Sequence, residues 1–100
     1  MQSYNIRYLP IAENDLNEIL DYLSEYSIDA ANRLIDALEN LENTLSMFPE
    51  SVPLIRNIRL RSRGYRVSVI GDYLLFCILR DDDVYIMRII HCRRNYLSIL

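Results

Sequence analysis

The stretch Tyr65-Arg66-Val67-Ser68-Val69-Ile70-Gly71-Asp72-Tyr73-Leu74-Leu75-Phe76-Cys77-Ile78-Leu79-Arg80-Asp81-Asp82-Asp83-Val84-Tyr85-Ile86-Met87-Arg88-Ile89-Ile90-His91 decides the fold. Three apolar runs, rich in β-branched and aromatic residues, are parted by two short polar turns, which is the pattern of strands joined by hairpins. A two-residue loop at Gly71-Asp72 pairs Ile70 with Tyr73 and places Arg66 opposite Cys77. Asp81-Asp82-Asp83 reads as a three-residue loop that pairs Arg80 with Val84 and sets Cys77 beside Met87. Alternation then sorts the side chains onto two faces, with a bulge in either hairpin able to swap some of them. One face holds Tyr65, Val67, Val69, Leu74, Phe76, Ile78, Val84, Ile86 and Ile90, with Arg88 its one charge, and is expected to pack on helices. The other holds Arg66, Ser68, Tyr73, Cys77, Tyr85, Met87 and His91, and is expected to be the open, chemically useful face.

Upstream, Tyr4-Asn5-Ile6-Arg7-Tyr8-Leu9 reads as a first strand, ended by Pro10, which suits an early helical position because its missing N–H costs nothing there. Leu16, Ile19, Leu20 and Leu23 recur at helical spacing to about Tyr26, with Glu13, Asp15 and Glu18 favouring the helix start. Ser27 or Asp29 can cap a second helix with the stripe Ala31, Leu34, Ile35, Leu38, Leu41, Leu45 and Phe48, stopped by Pro49. The short break between the helices makes an antiparallel hairpin. The expectation is therefore one α+β domain over residues 1–100: an N-terminal strand, a helix hairpin, and a three-stranded antiparallel meander packed on the helices. Residues 93–100 read as a short tail.

Charge is the most informative compositional feature. Residues 1–50 carry two arginines against ten carboxylates, net −8, while residues 51–100 carry nine arginines against four, net +5. All the basic residues are arginine, whose planar fork matches phosphate and carboxylate where lysine offers a point charge. Part of this asymmetry is taken up by pairing an acidic helical layer with a basic sheet; the surplus points to an anionic partner. Cys77 and Cys92 form no disulfide framework, and without a secretory signal the chain is expected in the cytoplasm with both thiols free. The longest apolar runs are far too short to span a membrane. No Cys/His metal spacing, Gly-rich phosphate loop or Ser-His-Asp arrangement is legible, so neither a metal nor an organic cofactor is expected.

Arg61-Ser62-Arg63-Gly64-Tyr65-Arg66, Gly71-Asp72-Tyr73-Leu74-Leu75-Phe76 and Ile86-Met87-Arg88-Ile89-Ile90-His91-Cys92-Arg93-Arg94-Asn95-Tyr96, in that order, resemble toxins of the RelE/ParE type. The opening Tyr8-Leu9-Pro10-Ile11-Ala12 fits as well, so the resemblance covers nearly the whole chain. It implies the toxin of a type II toxin–antitoxin pair, a class that includes plasmid-stabilisation systems. RelE-like members cleave messenger RNA in the ribosomal A site, whereas ParE-like members inhibit DNA gyrase without nuclease activity. The implied partners are a cognate antitoxin and either the ribosome with its message or gyrase. The antitoxin is expected to be acidic, laying an amphipathic segment over the helix hairpin, the basic sheet and the apolar tail of Leu97, Ile99 and Leu100.

The nuclease reading needs three roles filled: a base for the 2′-hydroxyl, an acid for the leaving oxygen, and a charge stabiliser. Arg66 matches the family's arginine after the Gly-Tyr turn and is the candidate stabiliser. His91, the only histidine, and Tyr96 are the candidate proton movers. Arg59, Arg61 and Arg63 in the basic loop, with Arg93 and Arg94 after the last strand, are the candidate RNA- or target-binding residues. Arg88 reads as a structural arginine bonded to helix carboxylates. Against the nuclease stand the His91-Cys92-Arg93-Arg94 ending, which looks ParE-like, and the absence of RelE-type lysines. For the nuclease speak Arg66, a candidate acid–base pair and the nine-arginine half, so the expected activity is ribosome-dependent, metal-independent cleavage of messenger RNA. In the alternative gyrase reading the same basic surface docks on protein and DNA.

Overall fold

Two residues organise the first half of the chain. Pro10 opens α1 (Pro10–Tyr26) directly after β1 (Asn5–Tyr8), while Leu9 continues the sheet by donating its N–H to Ile86 O at 3.0 Å. Ser27 serves two helices. Its N–H closes α1 on Leu23 O, and its hydroxyl oxygen accepts from Ala30 N to cap α2 (Ile28–Met47). Phe48 and Pro49 end α2, and a 3₁₀ turn (Pro49–Ser51) leads into an extended segment. The computed structural model describes residues 3–100.

The second half begins with α3 (Ile58–Ser62), a helical turn where the sequence predicts a basic loop, and continues through β2 (Tyr65–Ile70), β3 (Tyr73–Arg80) and β4 (Asp83–His91) to a single turn, α4 (Tyr96–Ile99). The strands form one sheet in the order β1-β4-β3-β2, with β1 parallel to β4 and the meander antiparallel. This is the expected α+β architecture, with the first strand joined to the meander as its edge. Gly71, at φ +61, takes the left-handed conformation that the tight β2–β3 turn requires.

The Gly71-Asp72 loop gives the expected register, Ile70 with Tyr73 and Arg66 with Cys77. The second hairpin differs. Its loop has two residues, so Arg80 pairs with Asp83 and Leu79 with Val84, and Cys77 faces Ile86 rather than Met87. A register shift between Phe76 and Cys77 then leaves Met87 as the extra residue, and pairing resumes with Phe76 opposite Arg88.

These registers invert most of the expected faces. The helix-facing side carries Ile70, Tyr73, Leu75, Cys77, Val84, Ile86 and Ile89, packed with Leu34, Leu38, Leu41 and Leu45 of α2. Of the residues assigned to the helices, only Val84 and Ile86 keep that place on the register. Tyr65, Phe76 and Ile90 are buried on the opposite side, in a second core with Ile55 and Leu60, against which Tyr96, Ile99 and Leu100 pack. Each face of the sheet thus carries a buried core, one under the long hairpin and the other under α3 and α4, while Val69, Ile78, Tyr85 and Met87 on the second face stay exposed or half-buried. Of the face expected to be open, Tyr73 and Cys77 are buried under the helices, whereas Tyr85 and Met87 are half-buried on the other side.

Strand backbone left without a neighbouring strand finds partners as well. Outside β2, Ile55 N–H donates to Tyr65 O and Val67 N–H to Pro53 O. Beside β4, where β1 ends, the buried Asp15 carboxylate takes over. It accepts Ile89 N–H at 3.0 Å, Arg88 Nε at 2.7 Å and Arg88 Nη2 at 3.0 Å. One acidic side chain of α1 therefore closes a strand edge and neutralises the charge beside it.

Candidate functional site

Arg66 lies at the start of the edge strand β2, on the helix-facing side of the sheet, half-buried, with Nη1 donating to Val52 O at 2.8 Å. His91 ends β4 on the same side, paired through Tyr73 with Ile70 at the far end of β2. Four residues along the strand and two strands across separate the two, roughly 16 Å between Cα positions. Tyr96 is on the other side of the sheet, its ring 5.2 Å from that of Phe76. Arg66 and His91 do share a face, as the register implied, but that face is covered by helices and the two residues stand at opposite ends of it.

His91 occupies a better-formed setting of its own. An open cleft of about 560 Å³ lies between α1 and the ends of β3 and β4, lined by Tyr22, Tyr73, His91 and Arg94 together with Asp15 and Asp72. His91 packs edge-on against Tyr73 with ring centroids 5.3 Å apart. Its Nδ1 accepts the backbone N–H of Arg93 at 3.1 Å, which leaves Nε2 as the proton-bearing nitrogen of the neutral ring. Tyr22, more than half exposed, lies against the exposed Tyr26 with ring centroids 4.9 Å apart and planes inclined at 52°. The cleft thus offers an aromatic wall, a hydrogen-bonding histidine, an exposed guanidinium and carboxylates. That mixture suits recognition of a protein surface, where aromatic and arginine anchors carry most of the binding.

The remaining candidates divide. Arg93 and Arg94 are exposed beside this cleft. Arg61 is exposed on α3, as is Arg56 just ahead of it. Arg59 and Arg63 hold the C-terminal turn instead: Arg59 donates to Leu97 O at 2.9 Å and Leu100 O at 3.2 Å, and Arg63 to Leu100 O at 3.2 Å. Arg63 also lies over the Tyr65 ring, 5.3 Å from its centroid. The apolar tail is consequently less available than expected, with Ile99 and Leu100 half-buried and Leu97 exposed. Among the described residues no group of His, Cys, Asp and Glu is placed to hold a metal ion, and no helix is long and apolar enough to cross a membrane.

Residues 6–96 match the family model described as the ParE toxin of the type II toxin–antitoxin system parDE. The chain belongs to the ParE toxin family. It is accordingly the toxin of a type II toxin–antitoxin pair, with a cognate antitoxin as partner. Solved structures share the ParE fold at low identity. A chain of the chromosomal ParDE system from P. aeruginosa superimposes with a TM-score of 0.68 at 14% identity, over 89% of this chain and 96% of that one. A conserved hypothetical protein, HP0894, from Helicobacter pylori gives 0.57 at 18% identity, over 88% and 93%. A mutant of YafQ from E. coli gives 0.53 at 17%, over 88% and 92%. No curated protein matches in sequence.

Two features of this ParE-family toxin escaped sequence reading. The sequence suggests only a helix-start role for Asp15, yet Asp15 is the helix carboxylate that binds Arg88. The signal was present: Asp15 falls on the apolar stripe of α1 between Ala12 and Ile19, where an unpaired charge would be costly. The clamping of the C-terminal turn by Arg59 and Arg63 left no such trace, because nothing in the sequence says where the tail returns.

Proposed function

We propose that this toxin arrests growth by docking on DNA gyrase and blocking supercoiling, without cutting RNA. The observation that carries the reading is the dispersal of the nuclease candidates. Cleavage at one phosphate needs proton movers and a charge stabiliser gathered within hydrogen-bond reach of it. Arg66 is tied to Val52 O at one end of the helix-covered face, His91 stands at the other end, and Tyr96 packs on Phe76 across the sheet. Membership of the ParE family supports the same reading, since gyrase inhibition is what likeness to ParE implies.

The contact with the target is assigned to the His91 cleft and its rim, where Arg93, Arg94 and Tyr22 are accessible. The test is a supercoiling assay with purified gyrase and relaxed plasmid, titrated with toxin freed of antitoxin. Supercoiled product is expected to disappear with wild-type toxin and to persist at tenfold higher concentrations of Arg94→Glu, about the factor that ~1.4 kcal/mol of lost contact produces. Undiminished supercoiling at saturating wild-type toxin would overturn the proposal.

A further inference from the structure

We propose that the arginines of α3 form a binding site for the phosphate backbone of duplex DNA, and that DNA and the C-terminal turn compete for it. The inference deepens the gyrase reading by giving the toxin a second grip, on the DNA that gyrase handles. Residues 51–71 contain five arginines and no carboxylate. Among the described residues the side-chain ion pairs join Arg7 to Asp83 and Arg88 to Asp15, and no side-chain carboxylate pairs with Arg56, Arg59, Arg61 or Arg63. All four are exposed, a density of positive charge that draws a polyanion with release of its counterions.

The kind of nucleic acid follows from what the surface lacks. Single strands are held by stacking their bases on exposed aromatic rings. Tyr65, the one aromatic residue of this segment, is 4% exposed and lies beneath Arg63, so no stacking platform is offered. Exposed arginine forks can hold the sugar–phosphate backbone of a duplex without any aromatic platform.

The competition follows from hydrogen-bonding strength. α4 is a single turn, too short to be stable by itself. It is held by the packing of Tyr96, Ile99 and Leu100 and by three guanidinium bonds from Arg59 and Arg63 to backbone oxygens. An ionised phosphate oxygen is a stronger acceptor than the Leu97 carbonyl, and it competes with Leu100 O for the remaining donors of Arg59 and Arg63. Binding DNA therefore draws Arg59 and Arg63 off the turn and loosens residues 96–100, uncovering the edge of the second core at Phe76.

The experiment is fluorescence anisotropy of a short labelled DNA duplex with the full chain, across a series of KCl concentrations and without gyrase. Binding is expected with log affinity falling linearly in log salt concentration, and Arg61→Ala should lower that slope by about 0.9, the share of one phosphate contact. Tyr96→Ala, which loosens the turn and leaves every arginine in place, should tighten binding several-fold. Should that variant fail to fold, hydrogen exchange on the unaltered chain decides: adding the duplex must speed exchange at the Ser98 and Leu100 amides, which bond Asn95 O and Tyr96 O. No binding at low salt, an unchanged slope in Arg61→Ala, unaltered exchange in the turn, or tighter binding to single-stranded RNA of the same length each overturns the inference. If supercoiling is still blocked while the duplex is not bound, the gyrase reading stands and this inference alone falls.

Discussion

Asp15 shows what one side chain does when a strand loses its neighbour. Its carboxylate supplies the acceptor that β1 no longer provides to Ile89 and pairs bidentately with Arg88, both ends largely out of water. Removing one partner of such a pair strands the other charge, so Asp15→Ala is expected to destabilise the fold by about 3 kcal/mol, measured by urea unfolding. A loss below about 1 kcal/mol would mean that water replaces the carboxylate easily. The two cysteines differ as sharply. Burial pushes the Cys77 thiol up to about 11, the nearby Arg66 charge opposing it weakly, while Cys92 is exposed. An acid whose folded pKa is raised favours the fold fully below its unfolded value and loses that contribution as pH rises through the folded one. For Cys77 that window runs from the ordinary thiol value of 9.0 to about 11. Iodoacetamide at about pH 8 should therefore label Cys92 and spare Cys77 in the folded chain; equal labelling on peptide mapping would contradict the packing of β3.

Among the elements, the first hairpin was fully legible and the second was not. Gly71 announces its own turn, because at φ +61 an L side chain is strained wherever the space lies, and a Cβ there meets no atom within 4 Å. Gly71→Ala should accordingly cost about 1 kcal/mol of pure backbone strain, read as a lowered unfolding midpoint with an unchanged m-value. Asp81 adopts φ +55 with no glycine to advertise it, so the loop looked one residue longer than it is. The helix hairpin was legible from its apolar period and from Ser27, which caps α2 as expected. The faces of the sheet were not, because each carries a buried apolar core. Leu75 and Cys77 lie under α2, while Phe76 and Ile90 lie under α3 and the C-terminal turn, and alternation cannot rank two apolar faces. α3 was hidden for a related reason: five residues with Leu60 as their one buried anchor carry too little periodicity to read as a helix.

At the scale of the molecule, the acidic helical half and the arginine-rich half are welded through few direct charge contacts. Arg88–Asp15 crosses between them inside, and Arg7–Asp83 at the exposed edge. Most of the +5 of residues 51–100 thus remains on the surface, around α3 and beyond β4, for other molecules to meet. Candidate site residues were legible as residue types and not as a constellation, since the distance from Arg66 to His91 depends on which strand ends carry them. The most direct test of gyrase inhibition without RNA cleavage reads both outcomes in the same cells. The toxin and its Arg66→Ala variant are induced, messenger-RNA ends are mapped by primer extension, and the topology of a reporter plasmid is followed on chloroquine gels. Intact messages, loss of negative supercoils, and the same loss in Arg66→Ala are the predicted result. New message ends within codons on ribosomes, abolished in Arg66→Ala while plasmid topology stays normal, would contradict it.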